Sequence, residues 1–261
     1  MWNPEQYARF SDERSRPFVE LVNRIGADNP ATVVDLGCGP GPLTASLCDR
    51  WPSATVLGVD SDPAMLAWAN SLVSQDLQLE FVNGDIATWR VPTAVDVVVS
   101  NAAFQWVPNH LELLPELASQ VRVGGWFAFQ VPGNLDDPHH QAIRAVRRRP
   151  QWAAIPTLAA LPERTHVSST AVAYADVLAS RGFDVDAWET TYVHILQGPD
   201  PILEWVKGTG LRPVLHALPT DEARNEFCAE LAPLLRDAYP AHSYGTPFPF
   251  RRVFVVARRT T

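Results

Sequence analysis

Cysteine, long apolar runs and net positive charge are all scarce in this sequence. Three cysteines occur in 261 residues, at Cys38, Cys48 and Cys228. An odd and sparse set of this kind favours reduced thiols in the cytoplasm over a disulfide framework. No CxxC pair or His/Cys cluster has the spacing of a zinc site, so we expect no bound metal.

The lack of long apolar runs argues against a membrane protein. None approaches the ~18 residues of a membrane span. The first residues, MWNPEQYARFSDERSRP, have no apolar centre and carry acidic side chains, unlike a signal peptide or a typical transit peptide. The formal net charge of −8 argues against a nucleic-acid partner. We therefore expect a cytoplasmic monomer with neither a membrane nor a nucleic-acid partner.

What the sequence does contain is an alternation of apolar runs with helical patterns. Strands are predicted over residues 31–36, 55–59, 77–82, 95–100, 126–131, 183–194 and 251–257. Helical patterns lie between them, at residues 42–50, 64–72, 110–121 and 171–180. Strands that alternate with helices imply βαβ crossovers and a mostly parallel sheet. We predict an α/β protein with a Rossmann-like, doubly wound, seven-stranded sheet and an inserted helical cap.

The first strand runs into an unusual glycine-rich stretch, VVDLGCGPGP, at residues 33–42. Parallel sheets bind ligands at the carboxyl ends of their strands, and glycines there let a ligand approach bare backbone. Three glycines stand at alternate positions, Gly37, Gly39 and Gly41. A dinucleotide motif needs a further glycine where Pro42 stands. Asp35, just before the loop, also suits a cationic group better than a pyrophosphate.

With its aspartate, this stretch resembles motif I of the class I S-adenosylmethionine-dependent methyltransferases. Three later strand ends carry the polar residues expected of the family: LGVDSDPAM, FVNGDI and VVVSNAAFQWV. Four strand ends in the right order are far more specific than a lone glycine motif. The resemblance implies S-adenosylmethionine as the cofactor.

The same resemblance implies a role for each strand end. Asp35, with Gly37 and Gly39, would face the amino-acid end of the cofactor, and Asn101 would touch its methionine part. Asp60, followed by Ser61, would accept hydrogen bonds from the ribose hydroxyls. Asp85 would bind the adenine amino group, and the backbone N–H of Ile86 would serve a ring nitrogen. Taken singly, Asp60 and Ser61 could belong merely to a helix cap, Asp85 to a turn, and Asn101 to a loop.

A wider resemblance covers nearly the whole chain. The segments that carry it are WNPEQYARFSDERSRPFVEL, FQWVPNH, TTYVHILQ, EWVKGTGLRP and FVVARR. They are similar to members of this methyltransferase family that esterify a carboxylate of trans-aconitate to a monomethyl ester. A carboxylate with a reference pKa near ~4 is ionised at neutral pH, so the reaction needs no general base. We therefore predict no catalytic residue, and a site that acts by positioning alone.

A small tricarboxylate needs cationic forks and hydroxyl groups, and arginine binds carboxylates through two parallel hydrogen bonds. The predicted substrate-binding residues are Tyr7, Arg14, Arg16, Trp106, Gln130, Tyr192, His194, Arg212 and Arg251. Further candidates of the same type and place are Gln105, Lys207 and Arg252. Four of these residues could have a purely structural role instead. Arg14 could be a solvated helix residue, Trp106 and Tyr192 could be core aromatics, and His194 could be a buried histidine. The runs Arg147–Arg149 and Arg258–Arg259 are interpreted as solvated surface charge.

The alternation of strands and helices, with its break after Val131, also divides the chain. Residues 1–30 would form an N-terminal helical segment over the site, and residues 31–131 the cofactor-binding half of the core. Residues 132–170, which lack clear periodicity, and 199–249 would form the cap. Residues 171–198 would return a helix and a strand to the core, and residues 250–261 would add its last strand.

Three alternatives remain open at the level of sequence. A class I methyltransferase could act on another small acid, a phenol or an amine; a phenol or an amine would need a base, for which His110 or His194 could serve. A nicotinamide oxidoreductase and a non-catalytic cofactor-sensing module are the other two. Pro42 argues against the oxidoreductase, and the long cap argues against the sensing module.

Overall fold

The computed structural model describes residues 11–74, 77–91, 93–162 and 168–261, with the side chains of residues 11–14 left outside that description. Tyr7 and the side chain of Arg14 therefore lie outside the described residues. Within them, no helix combines the length and the apolar character needed to cross a membrane.

Seven strands form one sheet, as the alternating pattern predicts. They are β1 (Thr32–Leu36), β2 (Thr55–Asp60), β3 (Leu79–Asn83), β4 (Val95–Asn101), β5 (Val121–Pro132), β6 (Phe183–Leu196) and β7 (Thr246–Arg259). Their order is β3-β2-β1-β4-β5-β7-β6, and β7 is antiparallel to both of its neighbours. The other pairings are parallel, so the predicted Rossmann-like, mostly parallel sheet is confirmed. The strand order reverses between β1 and β4, which is where such sheets bind ligands.

The described helices connect these strands and build the cap. They are α1 (Ser11–Arg24), α2 (Pro42–Arg50), α3 (Pro63–Ala69), α4 (His110–Ala118), α5 (Pro138–Arg147), α6 (Pro150–Ala153), α7 (Pro156–Ala159), α8 (Ala171–Ala179), α9 (Pro201–Lys207), α10 (Arg212–Ala217) and α11 (Asp221–Ala238). Many begin with proline, whose missing N–H costs nothing in the first turn. Asp62 caps α3 by accepting a hydrogen bond from the N–H of Ala64 at 2.9 Å.

The sheet is buried on both faces. Helix α1 packs Phe18 and Leu21 on the face that carries Val33, Val97 and Val256. The opposite face is covered by α4 and α8. Because side chains alternate along a strand, the register of the strands determines which polar residues share a face with α1.

The cap packs on an arm formed by β6 and β7. Residues Arg252–Arg258 of β7 pair with both β5 and β6, whereas Thr246–Arg251 pairs with β6 beyond the carboxyl end of β5. Helices α5–α7 and α9–α11 share an apolar core with Phe248 and Phe250 on this arm. The arm therefore places the cap beyond the carboxyl end of β5.

Several element bounds differ from the sequence prediction. Strand β7 begins at Thr246, not near residue 250 or 251. It can contain Pro247 and Pro249 because β5 does not extend that far, so no backbone N–H is needed there to pair with β5. Strand β5 begins at Val121, and Gly124 (φ 83°) accompanies a register shift in its pairing with β4.

Residues 132–170, which the sequence predicts to lack clear periodicity, do contain a helical repeat. Helix α5 buries four residues at helical spacing, His139, Ala142, Ile143 and Val146. They face the shared core of the cap, so the periodicity serves the cap and not the sheet.

Candidate cofactor and substrate site

The glycine-rich loop after β1 is shaped by two different demands. Gly37 (φ 79°) lies so close to the turn after β4 that an added Cβ would stand 2.3 Å from the Cβ of Ala103. Gly39 (φ 57°) is open instead, since an added Cβ would meet nothing within 4 Å. The lack of a side chain at Gly37 therefore lets the loop after β1 pack against the turn after β4. Gly39 leaves exposed backbone that a ligand can approach.

Asp35 presents a buried acceptor beside this loop. Its Oδ2 accepts a hydrogen bond from the Thr44 hydroxyl at 2.6 Å. Its Oδ1 is buried and has no hydrogen-bond partner among the described residues. Burial raises the pKa of Asp35 to about 7, the Thr44 hydrogen bond opposes this shift, and the charge of Asp60 adds to it. A cationic donor at Oδ1 would satisfy the oxygen and favour its ionised form.

Asp60, the last residue of β2, organises two loops at once. Its Oδ2 accepts from the N–H of Gly39 at 2.8 Å, and its Oδ1 accepts from the N–H of Asp62 at 2.9 Å. Each carboxylate oxygen keeps a second acceptor site, so these bonds leave capacity for hydroxyl donors. Ser61, next to it, is exposed.

The tip of β3 completes this side of the site. Asp85 is exposed, and its Oδ1 accepts from the N–H of Ala87 at 2.8 Å in a local turn. Ile86 is buried, with its Cδ1 3.3 Å from the position of a Cβ on Gly37. Asp60 and Ile86, from two of the predicted strand ends, and Ala103, just after a third, thus lie next to the glycine-rich loop.

A line of polar side chains continues from β4 across β5 to β7. The Gln130 Nε2 donates to Asn101 Oδ1 at 2.6 Å, and Arg252 Nη1 donates to Gln130 Oε1 at 3.0 Å. Gln130 and Arg252 are buried. Asn101 pairs with Gln130 in the register, and Asp35 pairs with Val99, so these polar side chains share the face that α1 covers.

Helix α1 and strand β6 add an aromatic and charged cluster next to this line. The Tyr192 hydroxyl donates to Glu20 Oε2 at 2.6 Å, and the Arg16 guanidinium lies 4.9 Å from the centre of the Tyr192 ring. Arg16 also bonds Glu20 through Nε at 3.0 Å. The ring of His194 stacks near Tyr192, with 6.2 Å between centroids.

The titration behaviour of this cluster reflects burial and the two arginines. Burial, together with the charges of Arg252 and Arg16, lowers the pKa of His194 to about 4. Burial and the bond to Glu20 raise the pKa of Tyr192, against the opposing effect of both arginines. The positive field of Arg252 and Arg16 therefore reaches both aromatic side chains.

Not every predicted substrate residue joins this cluster. Arg251 lies on the opposite face of β7 and pairs with Glu189, with 2.8 Å between Nη1 and Oε2. Arg212 begins α10 and is half-buried; its charge is the second cause, after burial, of the lowered pKa of His216. Trp106, in the short turn after β4, has 46% of its surface exposed. The structure brings together Arg16, Gln130, Tyr192 and His194.

Sequence reasoning underrated Arg252 and missed Thr44 and Glu20. The alternation Phe248, Phe250, Arg252 could have shown that Arg252 shares a buried face. Thr44 lies in the first turn of α2 and carries no comparable signal. Glu20 could not have been found, because its partner is distant in sequence.

The comparisons with known proteins agree with this geometry. Residues 33–125 match the family model described as a methyltransferase domain. The chain is 51% identical to trans-aconitate 2-methyltransferase of Mycobacterium sp. strain KMS over 260 residues, covering 99% of each protein. It is 45% identical to the protein of that name from Mycobacterium tuberculosis H37Ra, covering 98% of this chain and 96% of the relative.

The fold is also similar to that of a solved methyltransferase. Phosphoethanolamine N-methyltransferase 2 of Haemonchus contortus, solved with phosphomonomethylethanolamine and S-adenosylhomocysteine, has a TM-score of 0.57 at 16% identity, covering 94% of this chain and 52% of that one. At this identity, the likeness bears on the fold alone.

The fold, the strand-end residues and the matched domain define an S-adenosylmethionine-dependent methyltransferase of class I architecture. More narrowly, the identity over almost the whole chain shows that this protein belongs to the trans-aconitate 2-methyltransferase family. The choice between a methyltransferase and a nicotinamide oxidoreductase is therefore decided for the methyltransferase.

Proposed function

We propose that this protein esterifies one carboxylate of trans-aconitate to its monomethyl ester, with S-adenosylmethionine as the methyl donor. The names of its relatives support the substrate. The observation that carries the proposal is the buried Arg252, joined through Gln130 to Asn101 at the carboxyl edge of the sheet. It provides a fixed positive group beside the cofactor site.

The cofactor side fits S-adenosylmethionine. The orphaned Oδ1 of Asp35 suits an ammonium group, the space at Gly39 admits a ligand against the backbone, and Asp60 retains acceptor capacity for hydroxyls. We propose that the residues holding the cofactor are Asp35, Gly37, Gly39, Asp60, Ser61, Asp85, Ile86 and Asn101. When bound, the cofactor supplies an electrophilic methyl group on a sulfonium centre.

The substrate side offers two positive groups of different character. The Arg252 guanidinium is buried, bonds Gln130, and lies 4.8 Å from the centre of the Phe250 ring. The side chain of Arg16 is 67% exposed and rests on Tyr192. A buried inner guanidinium and an exposed outer one suit a small polyanion, because the inner group can orient one carboxylate while the outer group binds another.

The histidines support a carboxylate acceptor over a phenol or an amine. His110 is buried against Tyr174, with 2.7 Å between Nε2 and the hydroxyl, and burial lowers its pKa. His194, with a pKa lowered to about 4, is neutral at pH 7 and a poor base. An acceptor that is already ionised needs neither residue, so alignment and exclusion of water do the work.

The test is the methyl ester itself, measured by mass spectrometry with S-adenosylmethionine and a panel of trans-aconitate, its saturated tricarboxylate analogue, a dicarboxylate, a phenol and an amine. We expect turnover of trans-aconitate first, with a rate that stays flat from about pH 6 to 9, since the acceptor is ionised throughout. Turnover of the phenol or the amine alone, with a rate governed by one titrating group, would overturn the proposal.

Two variants on adjacent residues of β7 make the substrate assignment specific. Arg252→Met should raise KM for trans-aconitate at least about tenfold, since it removes a charge-assisted bidentate contact. Arg251→Met removes the same charge from the opposite face and should change KM less than about twofold. If Arg251→Met has the larger effect, the carboxylate lies on the other side of the strand.

We also propose that the protein acts in the cytoplasm. The described cysteines, Cys38, Cys48 and Cys228, are unpaired thiols, as is usual in a reducing compartment. The monomeric state and the lack of a nucleic-acid partner stay predictions from the sequence.

A further inference from the structure

Three polar side chains on three neighbouring strands form a directional relay at the carboxyl edge of the sheet. Arg252 on β7 donates to Gln130 on β5, which donates to Asn101 at the end of β4. We infer that Arg252 and Gln130 are positioning residues that fix the Asn101 amide with its N–H₂ group directed toward the cofactor cleft.

The direction follows from the chemistry of the three groups. A guanidinium only donates, so Gln130 must present its Oε1 to Arg252. The Gln130 Nε2 then faces Asn101. Because Nε2 is a donor, Asn101 must accept this bond, and its acceptor is Oδ1. Both N–H bonds of Asn101 Nδ2 are left for a partner other than Gln130. Without the arginine, either amide could turn over at little cost, because oxygen and nitrogen have the same shape.

The backbone next to the relay is held in place as well. The N–H of Ala102 donates to the carbonyl of Gln130 at 3.0 Å, and Ala102 has a positive φ of 53°. A non-glycine residue in this region is uncommon and persists where surrounding contacts determine it. The turn that carries Asn101 is therefore fixed by both side-chain and main-chain bonds to β5.

The relay gives the site an acceptor and a donor that match the two charged groups of an α-amino acid. Asp35 presents an unpartnered acceptor, Oδ1, on the same face as Asn101. An acceptor at β1 and an N–H donor at β4 match the ammonium and the carboxylate of an α-amino acid. If Asn101 turned its oxygen to the cleft, a bound carboxylate would meet acceptors only. The inference rests on the proposed cofactor site and is independent of trans-aconitate.

Isosteric substitutions at Gln130 separate positioning from simple packing. In Gln130→Glu, the new carboxylate still accepts from Arg252, but it cannot donate to Asn101. The Asn101 amide must then turn and present its oxygen to the cleft. In Gln130→Met, no polar group constrains the amide, which stays free to offer its N–H₂ group to the cofactor.

We expect Gln130→Glu to unfold at or above the wild-type temperature and to bind S-adenosylhomocysteine at least about tenfold more weakly. Gln130→Met should melt lower but bind within about threefold of wild type. A role in packing alone predicts the reverse, with Gln130→Met the poorer binder. That reverse order, or wild-type affinity in Gln130→Glu, would overturn the inference.

A second variant keeps the inference testable if Gln130→Glu fails to fold. Asn101→Asp still accepts from Gln130 but places an oxygen where the N–H₂ group stood, so it should also bind at least about tenfold more weakly. Undiminished affinity would overturn the inference. Titrations run without any acid substrate, so they fail separately from the proposed function, which wild-type turnover of trans-aconitate decides.

Discussion

The proposed cofactor side and the proposed substrate side of this site are assembled in different ways. The cofactor side takes Asp35, Asp60, Asp85 and Asn101 from successive strand ends within residues 33–101. The substrate side takes its residues from α1, β5, β6 and β7, and the Tyr192–Glu20 bond joins positions 172 residues apart. Local sequence therefore encodes the first side, whereas the second exists only once the antiparallel arm has folded back on the sheet.

The two sides also differ in what holds them. On the cofactor side, backbone groups predominate: the N–H of Gly37 bonds the carbonyl of Val59 at 2.8 Å, and that of Gly39 bonds Asp60. On the substrate side, bonds join side chain to side chain. Changes in the first region should thus disturb the fold or cofactor binding. In the second region, changes at Arg16 and Tyr192 should mainly alter substrate affinity, whereas Gln130 connects the two sides through its bond to Asn101.

The largest expected effect comes from the glycine that closes the strand tips. Gly37→Ala would place a Cβ 2.3 Å from that of Ala103 at a positive φ. The free energy of unfolding should fall by about 3–5 kcal/mol, through overpacking and backbone strain. Chemical denaturation measures this loss.

Gly39→Ala is the matched control in the same loop. It meets nothing within 4 Å, so it should cost only about 1 kcal/mol of backbone strain. Its methyl group would occupy the open space proposed for the cofactor and should weaken S-adenosylhomocysteine binding. Equal destabilisation by the two variants, or normal binding by Gly39→Ala, would contradict the division of roles.

An intermediate effect is expected from the buried carboxyl of Asp35. Its folded-state pKa is raised to about 7, so its stabilising contribution is complete below the unfolded pKa and is lost as pH rises through 7. Without cofactor, wild type should lose about 2–3 kcal/mol relative to Asp35→Asn between pH 5 and 8. Urea unfolding at several pH values measures the difference.

Thr44→Val sharpens this prediction. It removes the hydrogen bond that opposes the rise in the pKa of Asp35, so the loss of stability should continue to higher pH and become larger in total. Parallel pH profiles for wild type and Asp35→Asn would show that Asp35 is not the group responsible.

The smallest effect is expected at the outer arginine. Arg16 and Arg24 both lie on α1 in exposed ion pairs, with Glu20 and with Asp186. Removing either should change the free energy of unfolding by less than about 1 kcal/mol. Arg16→Ala should nevertheless raise KM for trans-aconitate about two- to fivefold, through the lost charge, while Arg24→Ala leaves it unchanged. Equal KM values for the two variants would remove Arg16 from the substrate site.

Much of the fold could be predicted because hydrophobic period and turn chemistry are local. The strands, their mostly parallel arrangement and the helix start at Asp62-Pro63 all follow from residues close in sequence. The start of β7 could not, because the prolines at 247 and 249 are tolerated only where β5 has ended. The sequence could not rank Arg251 against Arg252 for a related reason, since a slip of one residue reverses the face of a strand.

By itself, the sequence determined the sheet, the glycine-rich loop and the acidic residues at the strand ends, because each depends on a few neighbouring residues. Only the tertiary structure decided that Arg252 bonds Gln130, that Gln130 bonds Asn101, and that Tyr192 meets Glu20. The physical reason is that hydrogen bonds act over about 3 Å, so their partners are selected by strand register and helix docking rather than by distance along the chain.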